Sequence, residues 1–227
     1  MNHFGIQYEW VGSQIRIAER AYKPTEFTVE ADWSGASYWY EILALAGDGE
    51  IFLENLRLES LQGDARIAGW FTQFGISSEQ KESGVLLSKI GSFQLGILIL
   101  DFIENPDIAQ TMACICVVRG IPFHFYGLKT LKIKETDRIT ALQNELSKFG
   151  ANLTEPAQGE LAWDGTTDNA SKQTIPVIST YHDHRMALAF APMALVGVRL
   201  RIDDPMVVTK SYPGFWSDLI KVGFTIE

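Results

Sequence analysis

The chain has 227 residues, 46% of them hydrophobic, and a formal charge of −9 at pH 7. That supply of apolar side chains supports a packed core and excludes a disordered chain. The negative balance makes nucleic acid and anionic membrane surfaces poor partners.

The longest uncharged apolar run, residues 186–198, contains Pro192 and is 13 residues long; a bilayer-spanning helix needs roughly 20. The opening Met1-Asn2-His3-Phe4-Gly5 lacks the basic and apolar regions of a signal peptide. Cys114 and Cys116 are the only cysteines. They sit too close together for a good disulfide, and no second Cys or His pair completes a zinc set, so two buried thiols in a cytoplasmic protein are expected.

In chain order, residues 1–30 read as short strands and turns, with apolar or alternating runs at 6–10, 14–18 and 27–30. Asp32-Trp33-Ser34 caps a helical pattern reaching about Leu45, which Gly47-Asp48-Gly49 stops. A strand at 51–56 and a helix at 64–74 follow, the helix ending at Gly75. Polar residues 77–84 predict a loop, and 85–90 and 95–103 predict strands. Asn105-Pro106-Asp107 then opens an apolar helix over 108–118, stopped by Gly120, and an apolar stretch follows at 121–126. The next helix spans 135–149, with Thr136 or Asp137 as its cap and Ile139, Leu142 and Leu146 as its buried stripe. Asp183-His184-Arg185 opens another apolar helix, reaching about Val196 before Gly197. A strand at 199–203 and a helix at 212–222 complete the chain.

The order repeats. The helix-opening residues Asp32, Asp107 and Asp183 are 75 and 76 apart, and the closing glycines Gly5, Gly75, Gly150 and Gly223 are 70, 75 and 73 apart. Three strand–helix–strand–helix–strands units are expected from that spacing. Gly5 carries the same ending as the others, but its helix would precede residue 1. The chain therefore reads as beginning at the end of another unit, as a fragment would.

Residue types suited to chemistry gather at the helix starts. Asp107 stands at one, Lys134, Glu135 and Arg138 at the next, His184 and Arg185 at the third, and Lys210 just before the last helix. If the units pack about a pseudo-threefold axis, these starts converge. Helix N-termini favour anions, and Lys134, Arg138, Arg185 and Lys210 would add four cations, while Asp107 and Glu135 could exchange protons with a substrate. The other features read as structural. His182 and His184 have no further His near them and a cationic neighbour in Arg185, so no metal site is expected. His124 lies in an apolar strand as a satisfied histidine, and Tyr38-Trp39 and Phe215-Trp216 belong to the core.

Leu131-Lys132-Ile133-Lys134-Glu135-Thr136-Asp137-Arg138 and Tyr181-His182-Asp183-His184-Arg185-Met186-Ala187 closely resemble the signatures of the 5-enolpyruvylshikimate-3-phosphate synthases (3-phosphoshikimate 1-carboxyvinyltransferases). Val29-Glu30-Ala31-Asp32-Trp33-Ser34-Gly35-Ala36-Ser37-Tyr38 and Asn105-Pro106-Asp107 fit in the same order. The resemblance covers essentially the whole chain and implies the C-terminal half of a two-domain protein. Residues 1–30 would be the tail of the missing N-terminal domain, and 31–227 an α/β domain of three βαβαββ units in an inside-out barrel.

The implied reaction transfers the enolpyruvyl group of phosphoenolpyruvate to the 5-hydroxyl of shikimate 3-phosphate and releases phosphate, without metal or organic cofactor. Asp107 would hold shikimate hydroxyls and act as base. Glu135, with Lys210, would move the proton at the enolpyruvyl methylene. Lys134 would contact shikimate 3-phosphate, and Arg138, Arg185 and Lys210 would bind phosphoenolpyruvate with His184 beside them. Thr130 stands where some members carry a ring-contacting asparagine. The family's serine-rich phosphate pocket and two further cations lie upstream of these residues, so this chain alone is expected to be inactive. A sister transferase acting on UDP-N-acetylglucosamine and a non-catalytic anion-binding module are the competing readings.

Overall fold

The computed structural model describes residues 1–91, 96–169 and 172–227. The chain divides into two compact units, Met1–Glu30 and Ala31–Glu227. In the first, β1 (Tyr8–Val11) and β2 (Gln14–Ile17) form an antiparallel hairpin with Tyr8 opposite Ile17 and Trp10 opposite Ile15. Only Ile6 is buried in this unit, and His3, Phe4 and Phe27 make a small ring cluster with centroids 5.3–5.6 Å apart. The strand expected at 27–30 is not formed; Phe27 is used in that cluster instead of a ladder.

The second unit is mixed α/β. It contains α1 (Trp33–Leu45), β3 (Glu50–Glu54), α2 (Ile67–Trp70), β4 (Ile76–Lys81), β5 (Gly84–Lys89), β6 (Leu98–Asp101), α3 (Ala109–Arg119) and β7 (Phe123–Tyr126). After these come α4 (Arg138–Ser147), β8 (Leu161–Trp163), β9 (Val177–Ile178), α5 (His184–Phe190), β10 (Arg201–Ile202) and α6 (Phe215–Lys221). The sheets run β3-β5-β4, β6-β7-β8 and β10-β9. The first is antiparallel throughout. β6 and β7 are parallel across α3, and β9 and β10 are parallel across α5, so both segments are βαβ crossovers.

Helix α3 packs against both α1 and α5, and the three supply a large share of the core. Because neighbours cover them on every side, their sequences are apolar all round rather than striped. Ser37 and Thr111 hydrogen-bond where α1 meets α3, 3.1 Å apart. The sheet strands alternate instead: Leu98 and Leu100 are buried, while Ile99 and Asp101 face out.

Several boundaries differ from the sequence pattern. Residues 77–84 form the β4–β5 hairpin rather than a loop; Ser77, Ser78, Glu79 and Gln80 are polar because β4 is an edge strand with a solvated side. The helix expected at 64–74 is broken into 3-10 turns, Gly63–Arg66 and Phe71–Phe74, around the single turn of α2. The strand pattern beginning at Leu95 starts outside the described residues, and the observed strand is Leu98–Asp101. Gly75 closes its segment with φ +75°, and a Cβ there would lie 1.9 Å from the Gly91 carbonyl oxygen, so only glycine fits.

Candidate active site

Two helix starts and two turns of the second unit build the site. Asp137 caps α4 by accepting the Thr140 N–H at 3.1 Å, which places Arg138 as the first helical residue. Lys134 and Glu135 therefore precede the helix rather than share a helical face with Arg138, and Lys134 has an extended ψ of −147°. Asp183 caps α5 by accepting the Arg185 N–H at 3.0 Å. Asp107 does not cap: it sits in the 3-10 turn Pro106–Ile108 that leads into α3, and its carboxylate turns to cations. Lys210 ends the 3-10 segment Pro205–Lys210.

Arg138 is the hub, and its side chain is 2% exposed. Its Nε donates to Asp183 Oδ2 at 2.6 Å and its Nη2 to Asp183 Oδ1 at 3.2 Å, a bidentate grip on a carboxylate with no exposed surface. Nη1 donates to Asp107 Oδ1 at 2.8 Å, and Nη2 also reaches Glu135 Oε2 at 2.7 Å. The other cations surround this centre. Arg185 Nη2 donates to Asp107 Oδ2 at 3.0 Å and its Nη1 to the buried Tyr38 hydroxyl at 3.4 Å. Lys134 Nζ lies 3.4 Å from Asp107 Oδ1, and Lys210 Nζ donates to Glu135 Oε1.

The electrostatics follow from these contacts. Burial alone would push the Asp107 carboxyl up, but Arg185, Arg138 and Lys134 together hold it below its ordinary value. The hydrogen bond from Lys210 is the largest influence on Glu135, which is held down at about 2. Both groups are therefore carboxylates at neutral pH. Burial, reinforced by Arg185, lowers the His184 pKa, so its imidazole is neutral at pH 7, and its buried Nδ1 has no hydrogen-bond partner. Burial raises Asp64, against the hydrogen bond it accepts from the Ser34 hydroxyl; Arg185 and Asp107 lie close enough to act on it as charges.

The structure thus brings Asp107, Lys134, Glu135, Arg138, Arg185 and Lys210 into one ion cluster, with His184 next to it. Thr130 is exposed in the 3-10 turn Lys129–Ile133, outside that cluster's hydrogen bonds. Arg138, expected to face an anionic ligand, instead has its guanidinium committed to three carboxylates. Sequence reasoning missed the Asp183 grip on Arg138, the Tyr38 contact to Arg185 and the Ser34–Asp64 pair. Asp183 carried one usable signal: an N-cap aspartate satisfies helix N–H groups with one oxygen and leaves the other for a cation. Among the described residues no group of three or more metal-ligating side chains is present, and no helix is long and apolar enough to cross a membrane. His124 pairs with Glu160 at 2.7 Å and with the Tyr126 hydroxyl at 3.0 Å on the outer sheet face, a satisfied structural histidine.

This fold is shared with solved structures. EPSP synthase from Acinetobacter baumannii superposes with a TM-score of 0.73 at 20% identity, over all of this chain and 54% of that one. The enolpyruvyl transferase NikO from Streptomyces tendae gives 0.66 at 14% identity, over all of this chain and 52% of that one. The fold is thus of the enolpyruvyl transferase class. More narrowly, the chain belongs to the EPSP synthase (3-phosphoshikimate 1-carboxyvinyltransferase) family, whose model matches residues 1–219.

The 3-phosphoshikimate 1-carboxyvinyltransferase of Bacteroides fragilis (strain ATCC 25285) is 46% identical over 228 aligned positions, which cover all of this chain and 55% of that protein. The protein of that description from Methanospirillum hungatei JF-1 is 32% identical, over 90% of this chain and 46% of its own length. The chain therefore spans about half the length of the curated relatives it matches.

Proposed function

We propose that this chain is the C-terminal half of a 3-phosphoshikimate 1-carboxyvinyltransferase, transferring the enolpyruvyl group of phosphoenolpyruvate to shikimate 3-phosphate. The observation that carries this reading is the convergence of Asp107, Glu135, Arg138, Arg185 and Lys210, which the sequence separates by as many as 103 positions, into one ion cluster. In this reading residues 31–227 form three βαβαββ units in an inside-out barrel. The two parallel βαβ crossovers and the packing of α3 against α1 and α5 support it. Residues 1–30 are the tail of an N-terminal domain, which supplies the serine-rich pocket and the remaining cations.

The chemistry adds the acceptor alcohol to the phosphate-bearing enol carbon of phosphoenolpyruvate while its methylene carbon takes up a proton. It then breaks the carbon–oxygen bond to phosphate with loss of a proton from that methyl carbon, leaving an enol ether and inorganic phosphate. Asp107, ionised and held between Arg138, Arg185 and Lys134, is the base for the acceptor hydroxyl. Glu135 is a poor proton acceptor while Lys210 is bonded to it. A phosphate or carboxylate that draws Lys210 away raises the Glu135 pKa, and the carboxylate then moves the proton at the methylene carbon. Arg185 and Lys210 stabilise the phosphate and carboxylate of the donor, and Arg138 fixes the relative positions of Asp107 and Glu135. Neutral His184 adds a polar edge without competing charge.

The test is phosphate release from phosphoenolpyruvate plus shikimate 3-phosphate, by this chain alone and by this chain joined to the N-terminal half of the Bacteroides relative. No turnover by the chain alone, and turnover by the joined protein that Asp107→Asn abolishes, are expected. Turnover with UDP-N-acetylglucosamine instead would identify the sister reaction. An unchanged rate in Glu135→Gln would leave an anion-binding module.

A further inference from the structure

Helix α4 touches the chain around the site twice. Arg138, at its first position, grips Asp183. Glu145 lies seven residues later, two turns down the same face, and is 1% exposed. Its Oε1 accepts the Tyr181 hydroxyl at 2.8 Å, and its Oε2 accepts the Ser179 N–H at 3.0 Å and Lys148 Nζ. Lys148 in turn donates to the Val177 carbonyl at 2.7 Å. Between these two anchors the backbone makes an uncommon corner. Tyr181 and His182 both have left-handed backbones, φ 55° and 58°, and neither is glycine. Such a conformation persists only where surrounding contacts over-determine it. The Asp183 N–H closes the corner onto the Thr180 carbonyl at 2.9 Å, and the Thr180 N–H is held by Asp203 at 2.9 Å.

The side chain of His182 is 95% exposed and 3.9 Å from Asp204; it supplies no packing that would fix the corner. The Tyr181 hydroxyl has the Asn144 amide as its other neighbour, at 3.5 Å. Asp203 holds the corner at Thr180 and Arg138 holds it at Asp183; at Ser179 and Tyr181 the hold is the buried Glu145 carboxylate.

We propose that Glu145 is a positioning residue: by holding Ser179 and Tyr181 it sets the left-handed corner that aims Asp183 at Arg138 and Arg185 at Asp107. The inference rests on the transferase reading for its kinetic consequence, but the geometric part stands separately. In Glu145→Gln the single acceptor oxygen cannot serve both sides. Turned to Ser179 and Lys148, it forces the Tyr181 hydroxyl to reverse and accept from the amide; turned to Tyr181, it sets the amide against Lys148 and Ser179. In either case the charge that binds Lys148 is gone. Tyr181→Phe removes the bond to Glu145 and the long Asn144 contact, and leaves Ser179 held by Glu145.

The experiment compares Glu145→Gln and Tyr181→Phe with the parent in the joined, full-length protein. Three quantities are read: KM and kcat for phosphoenolpyruvate, amide hydrogen exchange at Arg185, whose N–H is held by Asp183, and Tm. For Glu145→Gln the KM for phosphoenolpyruvate should rise on the order of 10-fold or more, with kcat less affected, because displacing Arg185 by about 1 Å is enough for such a loss. Exchange at Arg185 should accelerate by at least as much. Tyr181→Phe should show the same pattern at roughly 3- to 10-fold, as expected for one hydrogen bond. A lowered Tm with KM, kcat and Arg185 exchange at parent values would overturn the proposal, and if Glu145→Gln fails to fold, Tyr181→Phe decides alone on the same readouts. Should the parent show no enolpyruvyl transfer, the transferase reading falls, and Arg185 exchange in the two variants still decides the role of Glu145.

Discussion

Arg138→Met tests the ion cluster most directly. In the parent, Nε and Nη2 neutralise Asp183, a carboxylate with no exposed surface. Methionine keeps much of the side-chain volume but leaves Asp183 with only the Arg185 N–H as a close donor. Breaking a buried pair by removing one member costs about 3–5 kcal/mol, because the remaining charge stays desolvated. Asp107 and Glu135 lose a partner too, but each is more than a quarter exposed and keeps another cation, so they add little.

At about 2–4 °C per kcal/mol for a chain of this size, Tm should fall on the order of 6–20 °C. Asp183→Asn keeps the shape and one acceptor for the helix cap while removing the charge. In the Arg138→Met/Asp183→Asn double variant the loss should be smaller than the sum of the singles by roughly 0.5–3 kcal/mol. Urea and thermal unfolding of this chain at pH 7 measure all three variants. A loss below about 1 kcal/mol for Arg138→Met, or strict additivity in the double variant, would refute the view that Arg138 is the structural centre of the site.

Three further outcomes are expected. Lys210→Met should raise the Glu135 pKa from about 2 toward the ordinary glutamate range, since the Lys210 hydrogen bond is its largest lowering influence; carboxyl-carbon NMR titration reads the shift, and an unmoved pKa would contradict the assignment. Glu41 is wholly buried in α1 with neither oxygen hydrogen-bonded, and burial raises its pKa well above the usual value. A raised folded pKa in an acid means that its penalty is absent below the unfolded pKa near 4.3 and grows as pH rises above it. Glu41→Gln should therefore stabilise the protein more at pH 8 than at pH 5, by up to about 1.4 kcal/mol per pH unit, and equal gains at both pH values would count against it. Gly75→Ala should cost on the order of 3 kcal/mol or more, combining a left-handed φ with a collision against Gly91; a urea midpoint within error of the parent would show that the turn yields.

Much of this was legible in the residues. Asp32 and Asp183 announced helix starts because an N-cap is a local device, read from one side chain and the two N–H groups that follow it. Gly120 and Gly197 marked helix ends for the same local reason. The site cations were legible as a type, since Lys and Arg beside a helix N-terminus oppose its dipole and have little structural use there. What could not be read is which of them meet. Arg138 and Asp183 are 45 residues apart, and nothing within a turn of either names the other. β4 was hidden for a different reason: an edge strand with a solvated face loses its alternation, and Ser77 and Ser78 read as a loop. The helix at 64–74 shows the converse, where apolar spacing is helical but Gly63 and Gly69 leave the backbone free to tighten into 3-10 turns.

Each of the four cations of the cluster already pairs with at least one of three carboxylates, Asp107, Glu135 and Asp183. An incoming anion thus finds no idle positive hole to fall into. It must displace a neighbour that is tethered to the chain and always present. Chloride or acetate, with a single charge and few acceptor atoms, is a weak competitor for such partners. A compound with a phosphate and a carboxylate on one small frame can replace several acceptors at once. Background electrolyte should accordingly inhibit far less than the net count of lysines and arginines at this spot would indicate.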